Sequence, residues 1–219
     1  TTEIYTLSLH DALPILPYSP RGTKASKLTE DKMVVDYRNV LEKELIPQEL
    51  LQRRITELAE DINRDFADAE GELLLVCVLR GGVIFLVELM RRLTVPHMVD
   101  FMAVSSYGVG KRSSSGQARI SLDLNTDIHG RDVLIIEDII DSGHTLHSLV
   151  ALLGSRSPRS LGVCVLLDKT ERREVDIPIR YSGFQIPNEF VFGYGLDLDE
   201  YYRNLDFVGV VDLDKYNPE

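Results

Sequence analysis

Residues 133–146 read Val-Leu-Ile-Ile-Glu-Asp-Ile-Ile-Asp-Ser-Gly-His-Thr-Leu. Residues 133–136 form a continuous apolar run of the kind that becomes a strand buried on both faces of a parallel sheet. The run ends in two adjacent acids, Glu137 and Asp138. After Ile139 and Ile140 come Asp141, Ser142, Gly143, His144 and Thr145, and then a Leu-rich stretch with helical spacing. The strand is therefore expected to deliver two carboxylates to its C-terminal end. The loop after it supplies hydroxyls, a glycine and free backbone N–H groups at a helix start, which attract an anion. Carboxylate oxygens suit a diol, because each accepts O–H donors. Diol acceptors beside a phosphate cradle describe a ribose 5-phosphate site. The bland alternative is a strand, a turn and a capped helix without chemistry. Ser and Thr are common at helix starts, but packing does not readily account for paired acids followed by Asp-Ser-Gly-x-Thr.

The segments on either side extend the pattern. Pro47 suits the first turn of a helix, and Leu51, Ile55, Leu58, Ile62 and Phe66 follow at helical spacing. Residues 73–79 are continuously apolar and read as a buried strand. Arg80-Gly81-Gly82 breaks it, and Phe85 to Leu93 suggests a second helix. Residues 99–104 read as a strand, 105–117 as a long polar loop rich in Ser and Gly, and 118–124 as an alternating strand. Beyond the opening motif, strands are expected at 161–167, 179–184, 190–194 and 207–211. Strands alternating with helices predict an α/β fold with a doubly wound, mostly parallel sheet. Ligands bind such sheets at the C-terminal strand ends, where Arg80, Glu137, Asp138, Asp141 and Lys169 would gather.

Residues 1–35 differ. They have no clean helical or strand period, carry prolines at 14, 17 and 20, and lack the basic start and compact apolar core of a signal peptide. The first fifteen residues resemble translated sequencing-adapter read-through. Residues 1–35 are thus expected to be an irregular, non-native or disordered extension, and residues 36–219 the single folded domain.

A chain of 219 residues with 44% hydrophobic and 27% charged content has length enough for a sizeable core. Its net charge of −11 argues against a nucleic-acid or anionic-membrane surface. Any phosphate site must then be assembled locally. No apolar run is long enough to span a bilayer. Cys77 and Cys164 lie in apolar runs and read as buried free thiols of a reducing, cytoplasmic compartment. The five histidines show no metal-ligand spacing.

The segment at 133–146 resembles the phosphoribosyl-pyrophosphate (PRPP) motif of type I phosphoribosyltransferases. Leu79-Arg80-Gly81-Gly82 resembles the pyrophosphate loop of the 6-oxopurine members, although they usually carry Lys where this chain has Arg80. Ser105-Ser106-Tyr107-Gly108 resembles their flexible catalytic loop, and Glu200-Tyr201-Tyr202-Arg203-Asn204-Leu205 the surroundings of their pyrophosphate-binding arginine. These segments match in order over residues 38–215, so the chain is similar to the hypoxanthine-guanine phosphoribosyltransferases of a bacterial-like, short form. A small hood region beside the main sheet is implied.

That resemblance implies a set of roles. Glu137 and Asp138 hold the ribose hydroxyls. The loop from Asp141 through Ser142, Gly143, His144 and Thr145 wraps the 5-phosphate, although His144 departs from the usual Lys or apolar residue. Arg80, Gly81 and Arg203 take the pyrophosphate, across a Leu-to-basic peptide that is often cis. Lys169 contacts the purine 6-oxygen, Phe190 stacks on the ring, and the Val191 backbone reads the base edge. Taken alone, Phe190 is better explained as core and Lys169 as a surface residue. Asp141 is the candidate general acid/base near purine N7. Magnesium is the implied cofactor, with Glu137, Asp138 and Asp197 as its residues. The implied partners are PRPP and a purine base, in a homodimer or homotetramer, without nucleic acid or membrane. Two rivals stand beside this reading. One is a transferase of the same fold acting on xanthine, adenine or a pyrimidine. The other is an RNA-binding regulator, which the acidic charge disfavours.

Overall fold

The computed structural model describes residues 36–106 and 118–216. The expectations for residues 1–35, and for Tyr107 and Gly108, lie outside the described residues. In chain order the elements are β1 (Leu41–Ile46), α1 (Gln48–Asp65), β2 (Leu73–Leu79), α2 (Gly82–Met90), β3 (His97–Ser106), β4 (Ala118–Leu122), β5 (Asp132–Ile140), α3 (His144–Gly154), β6 (Ser160–Asp168), β7 (Ile179–Gln185), β8 (Val191–Phe192) and β9 (Val208–Val211). Short 3-10 turns cover Tyr37–Asn39 and Thr170–Arg172.

The main sheet has the order β4-β3-β2-β5-β6-β7. β3, β2, β5, β6 and β7 are parallel, and β4 closes one edge antiparallel. From β2 the chain steps outward to β3, and it then crosses back to β5 and winds the other way. The order reverses between β2 and β5, and the loops after those two strands diverge there into a crevice.

The expected continuous apolar strands are present, and each buries both faces. On β2, Leu73, Leu75 and Cys77 pack with Leu51, Ile55, Leu58 and Ile62 of α1 and with Phe85, Leu86 and Leu89 of α2. The alternate residues Leu74, Val76 and Val78 pack with Leu146, Leu149 and Leu153 of α3. This period-2 division places α1 and α2 on one face of the sheet and α3 on the other, as the doubly wound expectation requires. Each fully buried aliphatic side chain contributes about 1.5–3 kcal/mol of transfer free energy.

A second antiparallel sheet, β1-β9-β8, forms the small hood. Its residues Ile46, Val191, Val208 and Val210 join the α1/α2 side of the core. β1 was not anticipated: the exposed, charged run Glu42-Lys43-Glu44 interrupts its apolar residues, so the segment carries no strand pattern of its own and is fixed by pairing with β9. Three further boundaries differ from the sequence reading. β5 runs on to Ile140, so Glu137 and Asp138 lie within the strand rather than at its end. Ser105 and Ser106 belong to β3, paired with Arg119 and Ala118 of β4, instead of opening a loop. The strand expected at 190–194 shrinks to Val191–Phe192, because Gly193 and Gly195 turn the chain sharply at φ +91° and +101°.

Cys77 pairs in register with Ile136, and Ile136 with Cys164. One strand thus separates the two cysteines, roughly 10 Å across two sheet spacings, beyond disulfide reach. Burial, aided by the charges of Glu137 and Asp138, pushes the Cys77 thiol up to about 12, and burial pushes Cys164 up as well. Both are inert core thiols. None of the described helices is long and apolar enough to cross a membrane.

Candidate active site

A cavity of about 320 Å³ opens at the C-terminal ends of β2 and β5, where the strand order reverses. Its lining includes Leu79, Glu137, Asp138, Asp141, Ser142, Gly143 and Thr145. The opening motif is thereby gathered into one concave surface of the size that ligand sites occupy.

Asp138 is buried, and its Oδ1 accepts a hydrogen bond from the Ile139 N–H at 2.8 Å. A Cβ added to Gly81 would lie 1.5 Å from Asp138 Oδ2. Only glycine at 81 lets the loop after β2 approach the carboxylate this closely. Glu137 is half-buried beside it. Burial, reinforced by the neighbouring Asp138 charge, holds the Glu137 carboxyl well above the usual carboxylate range, and burial raises Asp138 too. Charge on either carboxylate is therefore disfavoured unless a donor or cation offsets it.

Gly143 precedes α3 at φ +89°, and no side chain caps the helix. The N–H groups of its first turn are left for another acceptor, with Ser142 and Thr145 bordering the same cavity. His144 is the exception in this loop. Its side chain is exposed, and its Nε2 lies 2.8 Å from Glu174 Oε2. Glu174 thus holds the imidazole on the exposed side of the loop, while the His144 backbone stands at the helix start. The Glu174 N–H also donates to the Ser142 carbonyl at 3.0 Å, tying the loop to the segment after β6.

Lys169 follows β6 directly, and its N–H donates to the Ile140 carbonyl at 3.0 Å. The bland surface reading fails, because Lys169 is only 6% exposed. Its Nζ lies 3.7 Å from Asp141 Oδ2, while Arg172 Nε donates to Asp141 Oδ1 at 2.9 Å. Asp141 does not cap α3; its carboxylate sits between two cations. Arg172 was missed in the sequence, where Lys169-Thr170-Glu171-Arg172-Arg173 reads as an ordinary charged turn, although the three-residue spacing places both cations on one side of the 3-10 turn.

The residues expected to take pyrophosphate lie beside Asp138, outside the cavity lining itself. The Leu79–Arg80 peptide is cis. The turn at Gly193 to Gly195 packs on the Arg80–Gly81 loop so closely that a Cβ on Gly195 would lie 2.2 Å from the Gly81 carbonyl oxygen. Arg203 donates to the Gly195 carbonyl at 2.9 Å and pairs with Asp197 at 2.8 Å. Arg80 instead reaches Glu200.

Phe190 and Val191 stand apart from the cavity lining, on the hood. Phe190 is 48% exposed, which overturns the core reading. Val191 is buried, in register with Val210. Among the described residues, no three His, Cys, Asp or Glu side chains converge on a metal position, and Arg203 engages Asp197. The carboxylates of Glu137 and Asp138 are the right hard-oxygen donors for a divalent ion. Magnesium normally keeps several waters and completes its shell with substrate oxygens, so these residues fit it without forming a full cage.

Comparison with known proteins agrees with this geometry. A family model described as the phosphoribosyl transferase domain matches residues 43–199. The chain is 50% identical over 169 residues to a hypoxanthine phosphoribosyltransferase of Salmonella typhimurium, covering 77% of this chain and 94% of that protein. It is 47% identical over 192 residues to a hypoxanthine-guanine phosphoribosyltransferase of Mycobacterium tuberculosis, covering 86% and 95%. Among solved structures, a hypoxanthine phosphoribosyltransferase from Staphylococcus aureus superposes with a TM-score of 0.78 at 40% identity, over 85% of this chain and 100% of that one. Identity at this level, spread over nearly the whole length of those relatives and over the same fold, places the chain in the phosphoribosyl transferase domain family, among the hypoxanthine-guanine phosphoribosyltransferases.

Proposed function

We propose that the chain transfers the 5-phosphoribosyl group of PRPP to N9 of hypoxanthine or guanine, releasing pyrophosphate, in purine salvage. The observation that carries this reading is the single cavity at the strand-order reversal, where paired acids meet an uncapped helix start. The bond from ribose C1 to the pyrophosphate oxygen breaks, and a bond from C1 to N9 forms. Glu137 and Asp138 hold the ribose diol. Ser142, Thr145 and the first N–H groups of α3 hold the 5-phosphate. Arg80, Gly81 and Arg203 take the pyrophosphate, and Lys169 meets the base oxygen. Phe190 covers the ring, and the Val191 backbone reads its edge. Asp141 manages the proton at the base. Positioning and electrostatic stabilisation then supply most of the rate. Magnesium, carried near Glu137, Asp138 and Asp197, would neutralise charge on the leaving pyrophosphate.

The test is direct. With PRPP and magnesium, the purified chain is expected to convert hypoxanthine and guanine to their 5′-monophosphates and to release one pyrophosphate per turnover. Failure to form either nucleotide would overturn the proposal.

Residues 36–219 are proposed as the catalytic domain, in keeping with the matched span of 43–199. Deleting residues 1–35 is expected to leave turnover and melting temperature nearly unchanged. A chain that becomes insoluble or inactive on truncation would assign those residues to the fold. A homodimer or homotetramer is proposed as the working form, supported by exposed Met98, Phe101 and Leu122 on the neighbouring strands β3 and β4. A cytoplasmic setting fits the two unpaired thiols.

A further inference from the structure

Arg80 and Arg203 reach the same carboxylate from separate segments. Arg80 donates from both terminal nitrogens to the two oxygens of Glu200, at 2.8 and 3.0 Å. Arg203 donates to the first of those oxygens at 3.2 Å. The fork of Arg80 is what makes the contact two-pronged, and a lysine ammonium at that position has no matching planar geometry. Glu200 is also held in place by its backbone. It lies at φ +71°, between Asp199 at +51° and Tyr202 at +69°, and its N–H donates to Asp197 at 2.9 Å. Left-handed backbone is costly for side chains of this kind. A turn built this way points the carboxylate at the two arginines.

We infer that Glu200 is a built-in competitor for the pyrophosphate position, holding Arg80 and Arg203 together until a substrate anion displaces it. The inference rests on the proposed function, which gives those two arginines to the pyrophosphate. Two guanidinium groups converging on one carboxylate are arranged as they would be around a phosphoryl group. Arg80 is 71% exposed and Glu200 59% exposed at the side chain. Water reaches the contact, so it is weak and exchangeable, as a displaceable competitor must be. The entering anion must replace Glu200 on both arginines, and the residual charge of Glu200 opposes it. A purely structural cluster predicts something different: neutralising Glu200 would loosen the turn and weaken anion binding.

The experiment measures binding of inorganic pyrophosphate by calorimetry, with magnesium, to wild type, Glu200→Gln and Glu200→Asn. Gln keeps the size and removes the charge. Asn tolerates left-handed backbone and is too short to bridge both arginines. Both variants are expected to bind pyrophosphate about three- to tenfold more tightly, the range set by one or two exposed ion pairs. Their affinity for the product nucleotide, whose 5-phosphate sits on α3 away from Glu200, is expected to be unchanged. Unchanged or weaker pyrophosphate binding in both variants would reject the role of Glu200 alone. A wild type that binds no pyrophosphate would remove the pyrophosphate site itself, and this inference with it.

Discussion

Adenine is expected to be used about 10⁴-fold less efficiently than hypoxanthine, judged by the ratio of kcat/KM. The expectation rests on the proposed role of Lys169 at the base. Its stem is buried and its backbone is fixed to β5 through the Ile140 carbonyl, so the ammonium cannot be moved far to suit a different base. It lies 3.7 Å from Asp141, an ion-pair distance that leaves its donors to seek an acceptor. A ring carbonyl at purine C6 is such an acceptor. Adenine offers an amino group there, another donor, so both would be desolvated without a partner. Asp141 balances the charge but lies beyond hydrogen-bond reach, and a buried ammonium donor left without an acceptor costs more than losing one ordinary hydrogen bond. Lys169→Gln supplies an amide that can either donate or accept, and it should compress the ratio to about 10²-fold or less, mostly by slowing hypoxanthine. Efficient adenine use by the wild type, or an unchanged ratio in the variant, would remove Lys169 from base recognition.

The amount of this site legible in the sequence depended on how locally each feature is encoded. The motif at 133–146 writes strand, acids, glycine and helix start contiguously, and one cavity collects them. The both-face burial of β2, β5 and β6 is written in uninterrupted apolar runs, so the sheet class was readable as well. β1 was not, because its strand state comes from a partner at the other end of the chain and its centre, Glu42 to Glu44, is charged and solvent-facing. The burial of Lys169 and the exposure of Phe190 were equally hidden. Each depends on what the loops after β6 and β7 lie against, and the bland reading of both was reversed. The His144 side-chain partner was hidden in the same way. The residue's place in the motif suggested a phosphate contact, and Glu174, which holds the side chain, lies thirty residues on. The Glu200–Arg80 and Arg172–Asp141 contacts join residues 120 and 31 positions apart, so they arise only through long-range folding.

Asp141→Asn is expected to reduce turnover by roughly 10²-fold or more while PRPP affinity changes little. Two roles compete for this residue. As a helix cap, Asp141 would stabilise α3 by about 1 kcal/mol, and Asn, an equally good cap, would preserve it. The structure removes that role, because Gly143 occupies the cap position and no side chain bonds to the helix start. What holds Asp141 is a pair of cations: Arg172 at 2.9 Å on one oxygen and Lys169 at 3.7 Å on the other. With about half of each side chain in the Asp141–Arg172 pair exposed to water, the pair contributes little to stability. Lys169, by contrast, is buried and loses its anionic neighbour in the Asn variant, so a fall in melting temperature of about a few degrees is expected. In the proposed reaction the arrangement serves to orient the carboxylate. Two cations fix the carboxylate at the end of β5, between the phosphate loop and the residue that reads the base. There it can exchange a proton with the purine as N9 bonds to the ribose. Asn keeps the shape and the hydrogen-bonding capacity but has no basicity. A variant with wild-type turnover would leave Asp141 as a loop-shaping residue, whereas a large fall in melting temperature alongside lost turnover would assign it to structure rather than chemistry.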